Sequence, residues 1–148
     1  MNAFLGNATS LRQAEFSQLF AYRHAAFAEK LKWDSSNARD GLEIDEFDRP
    51  DTIHVLARDV EGKLCGCARL LPATKPYLLG SVFPELMNGV APHSSEVWEI
   101  SRFTSIALDH DVTLRRQTDA WGCREVTAAT VAAVMEVGVQ RLFRPNQA

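Results

Sequence analysis

Chemistry in this chain is concentrated where charged residues stand among residues that favour burial. In Val97-Trp98-Glu99-Ile100-Ser101-Arg102-Phe103 an acid and a base interrupt a branched and aromatic run that has no Gly or Pro. That is the composition of a β-strand. An ionised group in such a place is costly unless it is paired. Strict alternation sends Glu99 and Arg102 to opposite faces, because the side-chain period of a strand is two. A β-bulge re-aims one of them, and bulges are over-represented beside active sites. The stretch therefore reads either as a structural ion pair at a sheet edge or as part of a polar site.

Two further arginines favour the site. Arg23 falls on the apolar stripe of a predicted helix, with Phe16, Leu19, Phe20, Phe27 and Leu31. Such an arginine either snorkels out or meets a carboxylate, from elsewhere in the chain or from a ligand. Arg69 stands in a predicted strand where a small apolar residue is expected. Asp45, Asp48 and Glu99 are available to meet the three arginines. A set of mutually compensating buried charges contributes little net stability, so it points to a site.

The elements that must position these groups follow in order. Met1 to Leu5 reads as a first strand. Ser10 and Gln13 read as a capping box that opens a helix from Leu11 to about Leu31. An acidic loop from Asp40 to Asp51 follows Trp33; it lacks the spacing of a calcium loop, and Leu42, Ile44 and Phe47 anchor it. Thr52–Arg58 and Lys63–Leu71 form a hairpin across Asp59-Val60-Glu61-Gly62. In its second strand Cys65, Cys67 and Arg69 share one face and Leu64, Gly66, Ala68 and Leu70 the other. The cysteines read as small buried residues and not as nucleophiles. Ser81 to Asn88 reads as a short helix stopped by Gly89. After the charged strand, Asp109-His110-Asp111 leads to a second helix, Thr113 to Val137, with Arg115, Arg116 and Arg124 on neighbouring faces. Helix, antiparallel strands and helix make an α/β (α+β) domain of three layers, α-β-α, around one sheet, with residues 1–148 as a single domain.

The totals exclude several classes. With 148 residues, 46% hydrophobic and 24% charged, the chain has the size and composition of one globular domain. A net charge of −3 argues against a nucleic-acid binder. No apolar run reaches the roughly 18 residues of a membrane span, and no signal-peptide pattern is present. Three cysteines and four histidines lack metal-ligand spacing, so no metal is expected, and a cytoplasmic location fits.

Taken together the motifs resemble those of the LuxI-type acyl-homoserine-lactone synthases. The resemblance is carried by Tyr22-Arg23, Phe27, Trp33-Asp34, Glu43-Ile44-Asp45, Phe47-Asp48 and Gly66-Cys67-Ala68-Arg69-Leu70-Leu71-Pro72. It continues through Pro76-Tyr77-Leu78, Val82-Phe83-Pro84-Glu85-Leu86 and the charged strand. It implies a GNAT-like acyltransferase fold. The implied enzyme makes a quorum-sensing signal from S-adenosylmethionine and an acyl-acyl-carrier protein, releases methylthioadenosine and needs no cofactor.

The residues acquire implied roles from that resemblance. Glu99 is the general base for the amine, directly or through a water. Backbone N–H groups freed at a bulge from Ser101 to Phe103 hold the thioester oxyanion, which makes Ser101 and Arg102 catalytic as well. Arg23, Phe27, Trp33, Asp45 and Phe103 line the S-adenosylmethionine side, with Arg23 or Arg102 meeting its carboxylate. Asp48 and Arg69 form a structural charge cluster. Arg116 and Arg124 are candidate docking residues for the acidic carrier protein.

The resemblance weakens towards the C-terminus, where the chain ends soon after the second helix, so the part lining the acyl chain is expected to be shortened. Two rivals remain at this point. One is a silent homologue that only binds S-adenosylmethionine. The other is an ordinary acetyl-coenzyme A acetyltransferase, disfavoured because Thr104-Ser105-Ile106-Ala107-Leu108 has no glycine to cradle a pyrophosphate.

Overall fold

A computed structural model describes residues 2–33, 38–106 and 108. Its centre is a four-stranded antiparallel sheet of spatial order β1-β4-β5-β6. The strands are β1 (Asn2–Gly6), β4 (Ile53–Arg58), β5 (Leu64–Pro72) and β6 (Trp98–Thr104). A small hairpin, β2 (Ala38–Arg39) and β3 (Leu42–Glu43), lies outside it. Asp40 (φ 53°) and Gly41 (φ 74°) turn that hairpin. Two successive positive φ values suit an Asp-Gly pair.

Helix α1 (Gln13–Arg23) crosses one face of the sheet. Leu19, Tyr22, Ala26 and Phe27 pack there against Leu56 and Cys67. The opposite face gathers Ile53, Val55, Ala68 and Leu70 with Ala3, Leu5 and Trp98. Central strands with two apolar faces are buried on both sides, and β4 and β5 are buried almost throughout.

Several expectations about elements change in detail. The capping box is not Ser10–Gln13. Arg12 is the N-cap, and Glu15 three residues on accepts its backbone N–H at 2.9 Å. Ser10 instead closes the preceding turn, its Oγ accepting the Asn7 N–H. The helix continues to Lys30 as expected, but from His24 onward it is a π-helix. Leu31 N–H donates to Ala26 O, five residues back, at 3.0 Å. Leu31, expected on the buried stripe, is exposed. The helix expected over Ser81–Asn88 is instead α2 (Leu78–Ser81) followed by a 3₁₀ turn (Pro84–Leu86). Pro84 cannot sit inside a helix, and the Glu99 carboxylate starts α2 earlier than expected. The second long helix and its arginines lie outside the described residues.

Two bulges break the alternation of the sheet. At the first, Ala57 pairs with Gly66 but Arg58 pairs with Leu64, so β5 carries an extra residue. Cys65 turns to the face of Ala3 and Ala57, and Leu64 to the helix face. The expected sharing of one face by Cys65, Cys67 and Arg69 therefore fails at Cys65. At the second, Arg69 pairs with Ser101 but Cys67 with Thr104, so the extra residue is in β6. Among the described residues, no helix is long and apolar enough to cross a membrane.

Candidate active site

The bulge in β6 decides where the charges go. Glu99 stands opposite Leu71 and Ser101 opposite Arg69, so both share the helix face. Arg102 would turn away by alternation. It adopts φ 50° instead and reaches the same face. The left-handed region costs a non-glycine residue about 1–2 kcal/mol, so other contacts must hold it there. Cys67 Sγ donates to Arg102 O at 3.3 Å. The guanidinium donates to Glu43 Oε1 through Nε (3.0 Å) and Nη2 (2.8 Å), and Nη2 also to Asp45 Oδ2 (3.0 Å).

Arg23, Arg69 and Arg102 meet Glu43, Asp45 and Asp48 in one cluster of three cations and three anions. Arg23 Nε donates to Glu43 Oε2 at 2.5 Å, while Nη1 and Nη2 fork onto Asp48 at 2.7 and 3.1 Å. Arg69 donates through Nε to Ser101 Oγ (3.0 Å) and through Nη1 to Asp45 Oδ1 (2.6 Å) and Asp48 Oδ1 (3.1 Å). The acidic loop is ordered by the same carboxylates. Asp48 accepts the Asp45 N–H at 2.9 Å and Asp45 accepts that of Phe47 at 2.9 Å. Burial pushes the Asp48 carboxyl up, but Arg23 and Arg69 outweigh it and hold its pKa at about 2.

Aromatic rings back each cation. Arg23 lies 5.4 Å from the centroid of Phe20, Arg69 5.8 Å from Phe47 and Arg102 5.8 Å from Phe27. Phe27 is buried and stacks on half-exposed Trp33, centroids 4.8 Å apart. The Trp33 N–H donates to Phe27 O at 2.9 Å, which fixes the indole over the end of the π-helix. The result is a two-ring platform with one open side, beside Arg102.

The expected site residues thus separate into groups. Arg23, Arg69, Arg102, Asp45 and Asp48 come together, and Phe27 and Trp33 adjoin them through Arg102. Arg23 was expected to meet a substrate carboxylate, but it is 1% exposed and its donors are engaged by Glu43 and Asp48. It is a positioning residue. Glu99 was expected as a partner for the arginines. Its two oxygens instead accept the N–H groups of Leu78 (3.0 Å) and Leu79 (2.7 Å), the first turn of α2. Glu43 takes that place in the cluster. Phe103 is 40% exposed and joins none of these contacts among the described residues.

Glu43 is the residue that reasoning from the sequence missed. The Asp40-Gly41 turn was the available signal, since the hairpin it forms puts Glu43 at the start of the acidic loop facing Arg23 and Arg102. His54 also escaped notice. It pairs with Arg69 across β4 and β5, is edged by Phe16 and Phe20, and burial pushes its pKa down to about 4. Burial also pushes the Cys67 thiol up to about 12, which leaves it a packed, protonated group.

This constellation has known counterparts. The chain matches the autoinducer synthase family over residues 7–143. It belongs to that family. It is 42% identical over 145 residues to the acyl-homoserine-lactone synthase of Ralstonia nicotianae, covering 97% of this chain and 70% of that relative. Among solved structures, TofI in a ternary complex with an inhibitor and MTA has a TM-score of 0.76 at 39% identity. That alignment covers 95% of this chain and 67% of TofI. BjaI, a CoA-dependent acyl-homoserine lactone synthase with SAM and isopentyl-CoA, has a TM-score of 0.76 at 29% identity. There 94% of this chain and 61% of BjaI are covered. The family is one of acyltransferases that make acyl-homoserine lactones, and the GNAT-like α/β fold expected from the sequence is the fold of these structures.

Proposed function

We propose that this chain is the acyl-homoserine-lactone synthase its family implies, with S-adenosylmethionine as the acyl acceptor. The observation that carries the reading is the open Phe27–Trp33 platform beside a charge cluster that fixes Arg102 and Ser101 on the same face as Glu99. Stacked rings suit an adenine and, through cation–π attraction, a sulfonium.

The amine of S-adenosylmethionine attacks the thioester carbonyl carbon, the C–S bond breaks and the thiol leaves. The amine must first lose a proton. A free α-amino group has a pKa of about 8, so modest help suffices. Glu99 is the proposed base, directly or through a water: each of its oxygens accepts one α2 amide and keeps a lone pair. N–H groups at the β6 bulge are the proposed oxyanion donors. In the second step a carboxylate oxygen attacks the carbon bonded to the sulfonium. The C–S electrons return to sulfur, methylthioadenosine leaves and the lactone closes.

An acyl-acyl-carrier protein is the proposed donor. Because BjaI is a CoA-dependent relative, acyl-CoA is the donor to offer beside it. The test is mass spectrometry of acyl-homoserine lactones formed by the purified chain with each donor. Glu99→Gln is expected to lower turnover about 100-fold with S-adenosylmethionine affinity retained. Near-normal turnover moves the base elsewhere. Binding of S-adenosylmethionine without product from either donor marks a silent homologue.

A further inference from the structure

Arg69 is wholly buried, yet its guanidinium is not fully spent. Nε and Nη1 are engaged by Ser101, Asp45 and Asp48, while Nη2 is buried with no hydrogen-bond partner among the described residues. The other two arginines show which way Nη2 points. In both, Nε and Nη2 lie on the same side of the fork and approach one oxygen of Glu43. A planar guanidinium fixes those two N–H groups side by side. On Arg69 that side faces Ser101. Ser101 Oγ accepts the Nε–H, so its own proton turns elsewhere, and no described residue accepts it. Two unspent donors, one of them on a permanent cation, therefore lie together on the helix face of β5 and β6. A buried donor left unmade is expensive and calls for an acceptor.

We propose that Arg69 Nη2 and the Ser101 hydroxyl seat the carboxylate of S-adenosylmethionine, an inference that rests on the functional reading above. The spacing fits an amino-acid head group. Amine and carboxylate hang on one carbon, so their partners must be neighbours. Glu99 and Ser101 are two residues apart on one face of β6, about 7 Å along the strand. A head group with a hydrogen bond at each end spans that distance, its amine towards Glu99 and its carboxylate towards Ser101 and Arg69. The six charges of the cluster cancel, so the incoming anion meets no net repulsion. Arg23, the cation that position alone favoured for this contact, has no donor to offer.

Isothermal titration of the full chain with S-adenosylmethionine, its decarboxylated analogue and methylthioadenosine tests the assignment. The wild type is expected to bind S-adenosylmethionine at least about ten-fold more tightly than the decarboxylated analogue, as charge-assisted hydrogen bonds imply. Ser101→Ala is expected to shrink that ratio several-fold and leave methylthioadenosine binding unchanged; a merely structural Ser101 would weaken all three ligands together. Arg69→Lys, which keeps the charge but not the fork, is expected to shrink the ratio as well. A wild-type ratio near one, or a Ser101→Ala variant that keeps the full ratio, overturns this assignment alone. A wild type that binds none of the three overturns the functional reading, and this assignment with it.

Discussion

The same sheet contains two one-residue bulges, and their surroundings differ completely. The bulge in β5 turns Cys65 towards Ala57 and Ala3, small apolar neighbours that any compact side chain would satisfy. Cys65 is absent from the residues with positive φ, so this bulge carries no left-handed strain. The bulge in β6 turns a cation inward, holds it at φ 50° and ties it to Glu43 and Asp45. The first adjusts packing. The second imposes strain that is tolerated only because a network of charges over-determines the position. A break in strand alternation is thus no signal of function by itself; the residue it re-aims and the partners waiting for it are.

If that contrast is right, the β6 side fails hardest when its anchor is removed. Asp48→Ala strips a shared carboxylate from Arg23 and Arg69 and is expected to cost about 3–5 kcal/mol in urea unfolding, as for other broken buried pairs. A loss under 1 kcal/mol would mean that the cluster relaxes to solvent.

Acid should loosen the same side through His54. Its folded pKa of about 4 lies below its ordinary 6.5, so the unfolded chain binds the extra proton first. The stability this provides is complete above pH 6.5 and is lost as pH falls towards 4, in total about 3 kcal/mol. Asp48, held at about 2, adds a further loss below pH 4. In His54→Phe, a pH series of unfolding curves should be flat between pH 6.5 and 4. The same slope as wild type would assign the effect to another group.

The finest comparison places Gly and Val at each bulge. At Arg102, Val should be worse than Gly by about 1–2 kcal/mol because of the positive φ. At Cys65 the order should reverse, Gly being worse by about 1 kcal/mol, since it adds chain entropy to a strand and leaves a gap. The same order at both sites would erase the distinction between the bulges.

Much of this architecture was legible in the sequence because each signal was local. The hairpin was marked by Asp59 and Gly62, and the helix by its three- and four-residue spacing. The misplaced arginines were visible because each stood alone among apolar residues, and a bulge near Arg102 followed from the conflict between its charge and its face. What escaped was pairing. Nothing local told that Glu43 and not Glu99 would face Arg23 and Arg102, because the choice depends on a two-residue hairpin folding back and on α2 claiming Glu99. The bulge at Cys65 was equally silent, since a thiol is acceptable on either face. The π turn was missed because a 3.6-residue stripe and its widened form place nearly the same residues inward over one or two turns.

That π segment sets how the chain can change length. Seven residues, His24–Lys30, bond five back instead of four, and within them Phe27 carries Arg102 on one side and Trp33 on the other. Losing a single residue there would let the helix revert to the ordinary pattern and rotate everything beyond the deletion by about 100°. A surface loop absorbs such an event without trace; here it would swing the indole off its seat while hydrophobicity and helicity stayed the same. Lineages descending from this sequence should therefore admit insertions and deletions freely around Val60 or Val90 and almost never between Arg23 and Trp33.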